Sequence, residues 1–288
     1  MSARDLVYLK LSNIPHSGYI SPAMMAAHLS SSTRLEVVFL GFHSPLSRPD
    51  RERRRLPPLK RTILPVLTSL TFRGTSEYLE DLISGLDVPL LEKVRIRFLN
   101  QLIWDTSQLH QFFSCAKQLR SPIRAQLEFC RRSAAVQLFL RVGTANCLIL
   151  SLGISCGESD WQLSSLAQRC RSSLPPFLTL ERLDIHEDQH WRPHPQDETE
   201  NAQWLEVLHS FTAVKTLYLS EPLGRRVAPA LQELDRETVN GVLPALQNLF
   251  LEGFQPSGDV LEPFKQFVAA RQLSGRPVSV HRWIRVRD

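Results

Sequence analysis

Nine short stretches of this chain share one spacing, and that spacing limits what the chain can fold into. LPALQNLFLEGF, residues 243–254, places Leu246, Leu249 and Leu251 as L-x-x-L-x-L. LVYLKL repeats the pattern with Leu6, Leu9 and Leu11, LEVVFL with Leu35, Val38 and Leu40, and LTSLTF with Leu67, Leu70 and Phe72. LEKVRI (Leu91, Val94, Ile96), LERLDI (Leu180, Leu183, Ile185) and VKTLYL (Val214, Leu217, Leu219) continue the series. Two degenerate copies fill the central gap: RAQLEF, with Arg124, Leu127 and Phe129, and ILSLGI, with Ile149, Leu152 and Ile154. The copies start at 6, 35, 67, 91, 124, 149, 180, 214 and 246, so the step runs from 24 to 34 residues along a chain of 288. In x-L-x-L-x the strand period of two sends both apolar side chains to one face. One such unit cannot bury that face alone, so neighbouring units must stack on each other.

The segments between copies return the chain on the outer side. SEYLEDLISGL (76–86), WDTSQLHQFFSCAKQL (104–119), SDWQLSSLAQRCRSSL (159–174), TENAQWLEVLHSF (199–211) and DVLEPFKQFVAARQL (259–273) read as amphipathic helices. Asp105 with Gln108, Ser159 with Gln162 and Asp259 with Glu262 have the spacing of reciprocal N-terminal caps. Gly85, Pro89, Pro175, Pro176, Gly275 and Pro277 mark the stops. AVQLFLRV alternates Val136, Leu138, Leu140 and Val142, which predicts a β-ribbon on the outer side of that unit. PVSVHRW alternates Val278 and Val280, and the segment 276–288 is expected to supply a strand and tail that cap the array.

Composition and motifs narrow the function. No run of eighteen apolar residues exists, so no membrane span is expected. The N-terminal residues mix charges with leucines, unlike a signal peptide, and no Asn-x-Ser/Thr site occurs. These features favour a cytoplasmic or nuclear location. Cys115, Cys130, Cys147, Cys156 and Cys170 form no C-x-x-C pair, so reduced and mostly buried thiols are expected rather than disulfides or a zinc site. Residues 1–61 hold ten Lys/Arg against four Asp/Glu, while the remainder is near balance. Much of that excess lies in a Pro/Arg-rich loop insertion at 43–62, with Arg48, Arg51, Arg53, Arg54, Arg55, Lys60 and Arg61. Asp50, Glu52 and three prolines interrupt it, and no aromatics are interleaved, which speaks against nucleic acid. HEDQH, 186–190, spells H-E-x-x-H, but it follows a strand and precedes Pro193 and Pro195, so a polar loop is expected instead of a metal site. No phosphate-cradling glycine loop and no G-x-S-x-G occur. No catalytic residue, cofactor or metal is therefore expected, and the chain reads as a non-enzyme.

The repeats resemble the irregular leucine-rich repeats of F-box proteins. SGYISP, GFHSPLSRPD, SEYLEDLI, FTAVKTLYLSE, LPALQNLFLEG and FVAARQLSG are similar to the repeat region of a large fungal family of F-box-like proteins. The resemblance covers nearly the whole chain. It implies one α/β domain over 1–288: a curved leucine-rich-repeat solenoid of about nine irregular units, with parallel strands on the concave face and mostly helices outside. It further implies a protein-interaction module like the substrate-recognition repeats of an F-box subunit of a cullin–RING ubiquitin ligase. In that family an F-box precedes the repeats and docks the ligase adaptor. Here no F-box is seen ahead of the first repeat, so the adaptor is a partner only if that module is supplied. The alternative is a stand-alone repeat scaffold, or a competitor that holds a partner without delivering it to a ligase.

The repeat register also selects a surface. The central outward residues are expected to be Lys10, Phe39, Thr71, Arg95, Glu128, Gly153, Asp184, Tyr218 and Phe250. Arg73, Lys93, Arg95 and Arg97 are expected on two adjacent strands, and Tyr218 beside Phe250 one rung apart. Clustered arginine and exposed aromatics are enriched at interface hot spots. The expected partner is a protein segment with acidic character and an apolar anchor.

Overall fold

The structure, a computed structural model, describes residues 5–43, 61–99, 107–116, 121–155, 160–172, 179–188, 198–234, 238–253 and 261–284. In chain order the first elements are β1 (Tyr8–Ile14), α1 (Pro22–Ser30), β2 (Val37–Phe42), β3 (Thr62–Ile63), β4 (Ser69–Gly74), α2 (Ser76–Ser84), β5 (Leu86–Asp87), β6 (Lys93–Leu99) and α3 (Ser107–Cys115). Then come β7 (Arg124–Cys130), β8 (Ser133–Val142), β9 (Ala145–Ser155), α4 (Asp160–Ser172), β10 (Arg182–Glu187), α5 (Glu198–His209), β11 (Thr216–Leu219), α6 (Glu221–Gln232), β12 (Asn248–Glu252), α7 (Leu261–Leu273) and β13 (Ser279–Trp283). The fold is mixed α/β with mostly parallel strand pairing. Each of the nine sequence copies falls on a strand. Among the described residues no helix is long and apolar enough to cross a membrane.

The chain forms two compact units, the first Met1–Arg120 with Leu148–Gly157 and Ser172–Pro175, the second the rest. In the first, β1, β2, β4, β6 and β9 pair in that order, all parallel. Leu9, Val38, Leu70, Val94 and Leu150 form one inward row and Leu11, Leu40, Phe72, Ile96 and Leu152 the next. Helices α1, α2 and α3 pack side by side, and Tyr78 of α2 fills the space between Phe42 and Phe72. Its hydroxyl donates to the Ile20 carbonyl at 2.9 Å, and burial holds the phenol above its ordinary pKa. In the second unit the order is β8, β7, β10, β11, β12, β13. There Ala125, Leu183, Leu217, Leu249 and Val280 form one row, and helices α5, α6 and α7 pack in sequence.

The backbone repeats as the sequence does. At the start of six strands two consecutive N–H groups converge on one carbonyl at the start of the neighbouring strand. Glu36 and Val37 donate to Val7, Thr68 and Ser69 to Glu36, and Glu92 and Lys93 to Thr68. In the second unit Glu181 and Arg182 donate to Ile123, Lys215 and Thr216 to Glu181, and Gln247 and Asn248 to Lys215. A turn precedes the first leucine of the unit. The N–H of Leu35, Leu67, Leu91, Val214 and Leu246 each donates to the carbonyl three residues earlier, at Ser32, Leu64, Val88, Phe211 and Leu243. All five of those earlier residues are buried. Leu64, Val88 and Leu243 precede a proline, whose fixed φ suits the first central position of such a turn.

Three expectations change. The degenerate copies are shifted by two residues: Ala125 and Leu127 align with Leu183 and Ile185, and Leu150 and Leu152 with Val94 and Ile96. Arg124 and Ile149 are therefore not the starts of their copies, since the apolar residues there fit either register and only strand pairing decides between them. The AVQLFLRV strand is not an outer ribbon. β8 pairs antiparallel with β7 through the two-residue turn Arg131–Arg132, and a tight hairpin keeps both strands in one sheet. The capping residues Asp105, Ser159 and Asp259 lie outside the described residues. Glu80 of α2 caps the N-terminus of α3, accepting from Gln108 N at 2.8 Å and Leu109 N at 2.9 Å. Finally, α1 and α6 are additional helices. Ser21 caps α1 through Met24 N, and α6 forms despite Pro229 because Leu223, Val227, Ala228 and Leu231 bury one face.

Arg271 of α7 is fully buried and donates to the carbonyls of Val239, Pro244 and Leu246 at 3.1–3.4 Å. Burial, with the charge of Arg276 adding, lowers its pKa. The loop it holds contains Leu243 at φ 47°, a left-handed conformation that costs a leucine roughly 1–2 kcal/mol. Arg271→Leu removes the donors from three carbonyls and is expected to lower unfolding free energy by on the order of 3 kcal/mol. Leu217→Ala, in the middle of a buried row, is expected to cost about 2–5 kcal/mol. Leu273→Ala, at an exposed position, should stay within about 0.5 kcal/mol, all three read by urea titration.

Candidate interaction surface

The outward side chains of the first unit carry one sign of charge. On β6, Lys93, Arg95 and Arg97 alternate with buried Val94, Ile96 and Phe98. β4 places Arg73 directly opposite Arg97. Arg73, Arg95 and Arg97 are exposed and Lys93 is half-buried. Gly41 lies opposite Arg73 on the far side and Gly153 opposite Arg97, so the row reads Gly41, Arg73, Arg97, Gly153. The neighbouring row is Lys10, Phe39, Thr71, Arg95, Ser151, with the Lys10 ammonium 5.5 Å from the Phe39 ring centroid. β1, β2, β4, β6 and β9 contain no aspartate or glutamate. Among the described residues no carboxylate pairs with Arg73, Lys93, Arg95 or Arg97. Two like charges on adjacent strands, ~5 Å apart, repel by about 0.8 kcal/mol even in a water-like dielectric. This face is therefore electrostatically unsatisfied.

The second unit presents the opposite case. Arg124, on β7, and Arg182, on β10, both donate to the carboxylate of Asp184, Arg182 at 2.8 Å. Asp184 is buried although it sits on the outward side of its strand, because the two guanidiniums cover it. The Arg182 guanidinium then lies 4.0 Å from the Tyr218 ring centroid, and Arg124 lies 5.1 Å from that of Phe139. Tyr218 stacks on Phe250 at 4.5 Å and 11°, and Phe250 on His281 at 4.7 Å and 23°. Trp283 meets Tyr218 edge-on at 5.2 Å. His281 contacts the Asn248 amide at 3.3 Å, Gln126 contacts His186 at 3.1 Å, and Gln137 donates to Glu128 at 2.9 Å. The outcome is a pre-packed ladder of π faces and paired charges from β8 to β13.

The site residues expected from sequence thus fall in two groups. Arg73, Lys93, Arg95 and Arg97 share adjacent strands of the first unit, and Tyr218 and Phe250 are direct partners in the second. Glu128 and Gly153 are not in the central rows. Gln126 sits opposite Asp184, and Ser151 opposite Arg95, because of the two-residue shift. Sequence reasoning missed Phe139, Arg124, His281 and Trp283 as members of the ladder. The alternation of PVSVHRW held the signal for the last two, since a closing strand must present every second residue to the same face.

Other candidates resolve differently. His186 lies on strand β10, so Glu187 points to the opposite face, where its carboxylate accepts from the Ser220 hydroxyl. His190 and His194 lie outside the described residues, as does the basic run 44–60. Among the described residues no three His, Cys, Asp or Glu side chains converge on one point. The thiols are less buried than expected. Cys115 and Cys147 are exposed, Cys130 half-buried and Cys170 buried, with Cys156 outside the described residues. Burial pushes the Cys130 thiol up to about 11, with Glu128 and Asp188 adding and the Ser133 hydrogen bond opposing, so it is no thiolate at neutral pH. A cavity of about 60 Å³ beside Phe112 and Val88 has room for a few waters, not for an organic substrate. No protein-family model, no curated protein and no solved structure matches the chain.

The buried carboxylate holds the ladder in place. Asp184→Ala leaves Arg124 and Arg182 without their shared acceptor and is expected to cost on the order of 3 kcal/mol in a denaturant titration. Lys215→Ala, which removes the exposed pair with Glu181, should cost less than about 1 kcal/mol.

Proposed function

We propose that the chain is a protein-binding module built as a leucine-rich-repeat solenoid of about nine irregular units, whose partner docks on the outward strand side chains. The observation that carries this reading is the contrast between the two sides of the strands. Inward residues are buried in continuous rows, while outward ones present unpaired cations in one unit and a stacked aromatic ladder in the other. The recurring strand-start hydrogen bonds support the repeat reading, since six strands use the same backbone device to dock on their neighbours. The resemblance to F-box repeats suggests that the partner is a substrate held for a cullin–RING ligase. The stand-alone scaffold remains the second reading, favoured if the adaptor does not bind.

The test is affinity purification from cells of the source organism with the full chain as bait, quantified by mass spectrometry. The expected outcome is a partner recovered near stoichiometrically and depleted by Tyr218→Ala with Phe250→Ala. Adaptor and cullin in the same eluate support the ligase reading, and a partner without them supports the scaffold. Lack of any stoichiometric partner overturns the module reading.

A further inference from the structure

The cations of β6 repeat at a spacing that a second extended chain can match. Lys93, Arg95 and Arg97 stand on one face at every second residue, so their Cα atoms recur every ~6.6 Å. An extended peptide carries its alternate side chains at nearly the same interval. Arg73 doubles the charge at the Arg97 end, and Gly41 and Gly153 flank that pair without side chains to shield it. Ser69, Thr71 and Ser151 beside Lys93 and Arg95 are short hydroxyl residues that leave the cations standing above the sheet. No acid on these strands competes for them.

We infer that this face binds an extended acidic segment of a partner protein, with aspartate or glutamate at alternate positions aligned over β6. The inference rests on the protein-binding reading and names the chemistry of its ligand. Its strongest contact is the acid over Arg73 and Arg97, which stand directly opposite each other on adjacent strands. Arginine forks bind carboxylates in charge-assisted, directional hydrogen bonds, so spacing as well as total charge is read. The aromatic ladder does not serve this ligand, because the charges of Arg124 and Arg182 are already engaged by Asp184.

The test uses the full chain and two fluorescein-labelled peptides of equal charge. One alternates glutamate with serine; the other carries its glutamates in one block followed by serines. Fluorescence anisotropy is expected to show the alternating peptide binding at least about fivefold tighter, with affinity falling as salt rises. Arg95→Gln with Arg97→Gln is expected to weaken it by about tenfold or more, and adding Arg73→Gln to abolish it. Arg131→Glu with Arg132→Glu, a larger charge change in the exposed β7–β8 turn, should leave binding within about twofold. Unchanged melting temperatures of the glutamine variants tie the loss to the surface. Equal binding of both peptides, indifference to the glutamine variants, or tighter binding of a single-stranded oligothymidylate of the same charge overturns the inference. A purified partner that the Arg73, Arg95 and Arg97 variant still captures also overturns it while leaving the protein-binding module intact. A bait that captures no partner yet binds the alternating peptide supports the acidic-segment chemistry while rejecting the module reading.

Discussion

Burial of two inward residues per strand against the same two on the next strand is the interaction on which the rest depends. Leu183 and Ile185 gain a dry environment only because Ala125 and Leu127 lie on one side and Leu217 and Leu219 on the other. Each fully buried leucine contributes roughly 1.5–3 kcal/mol, and none of that is available to a unit standing alone. The paired N–H groups at six strand starts help lock the register that makes the rows line up. A slip of one residue would turn every leucine outward and every outward cation into the core. Register is therefore specified by the inward rows, and the outward residues are free to carry function.

That freedom is used in two ways. The second unit engages its outward charges internally, with Asp184 between two arginines and Arg182 laid on Tyr218. The first unit leaves Arg73, Arg95 and Arg97 exposed and unopposed. Identical backbone logic thus produces a pre-organised aromatic surface and a cationic one. A surface with unpaired like charges is tolerated because water screens it, and it gains most from a ligand that brings the opposite sign.

Helices are tied to each other and to a strand-leading turn by polar contacts that no local motif announces. Glu80 caps α3 from a neighbouring helix. Glu200 of α5 accepts two hydrogen bonds from Arg226 of α6 and a third from the indole of Trp204. Arg271 reaches from α7 into the turn that starts β12. The Glu80 and Arg271 contacts satisfy backbone groups of a helix end and a loop that would otherwise lack partners.

Strand positions, inward rows and five of the helices were legible in the sequence, because periods of two and 3.6 are properties of the local chain. The four basic residues and the Tyr218–Phe250 pair were legible for the same reason: given the repeat, outward positions follow. The register of RAQLEF and ILSLGI was not, since Pro122 and Cys147 replace the leading leucine and only pairing with β10 and β6 aligns them. Nor was the hairpin of β7 and β8, where the choice between an outer ribbon and a sheet strand depends on the neighbour it finds. The sequence by itself determined which residues alternate, and hence which side chains share the outward side of the strands. Tertiary structure alone decided which of those charges are already spent, because Asp184 and Arg124 are 60 residues apart and meet only when their strands pair.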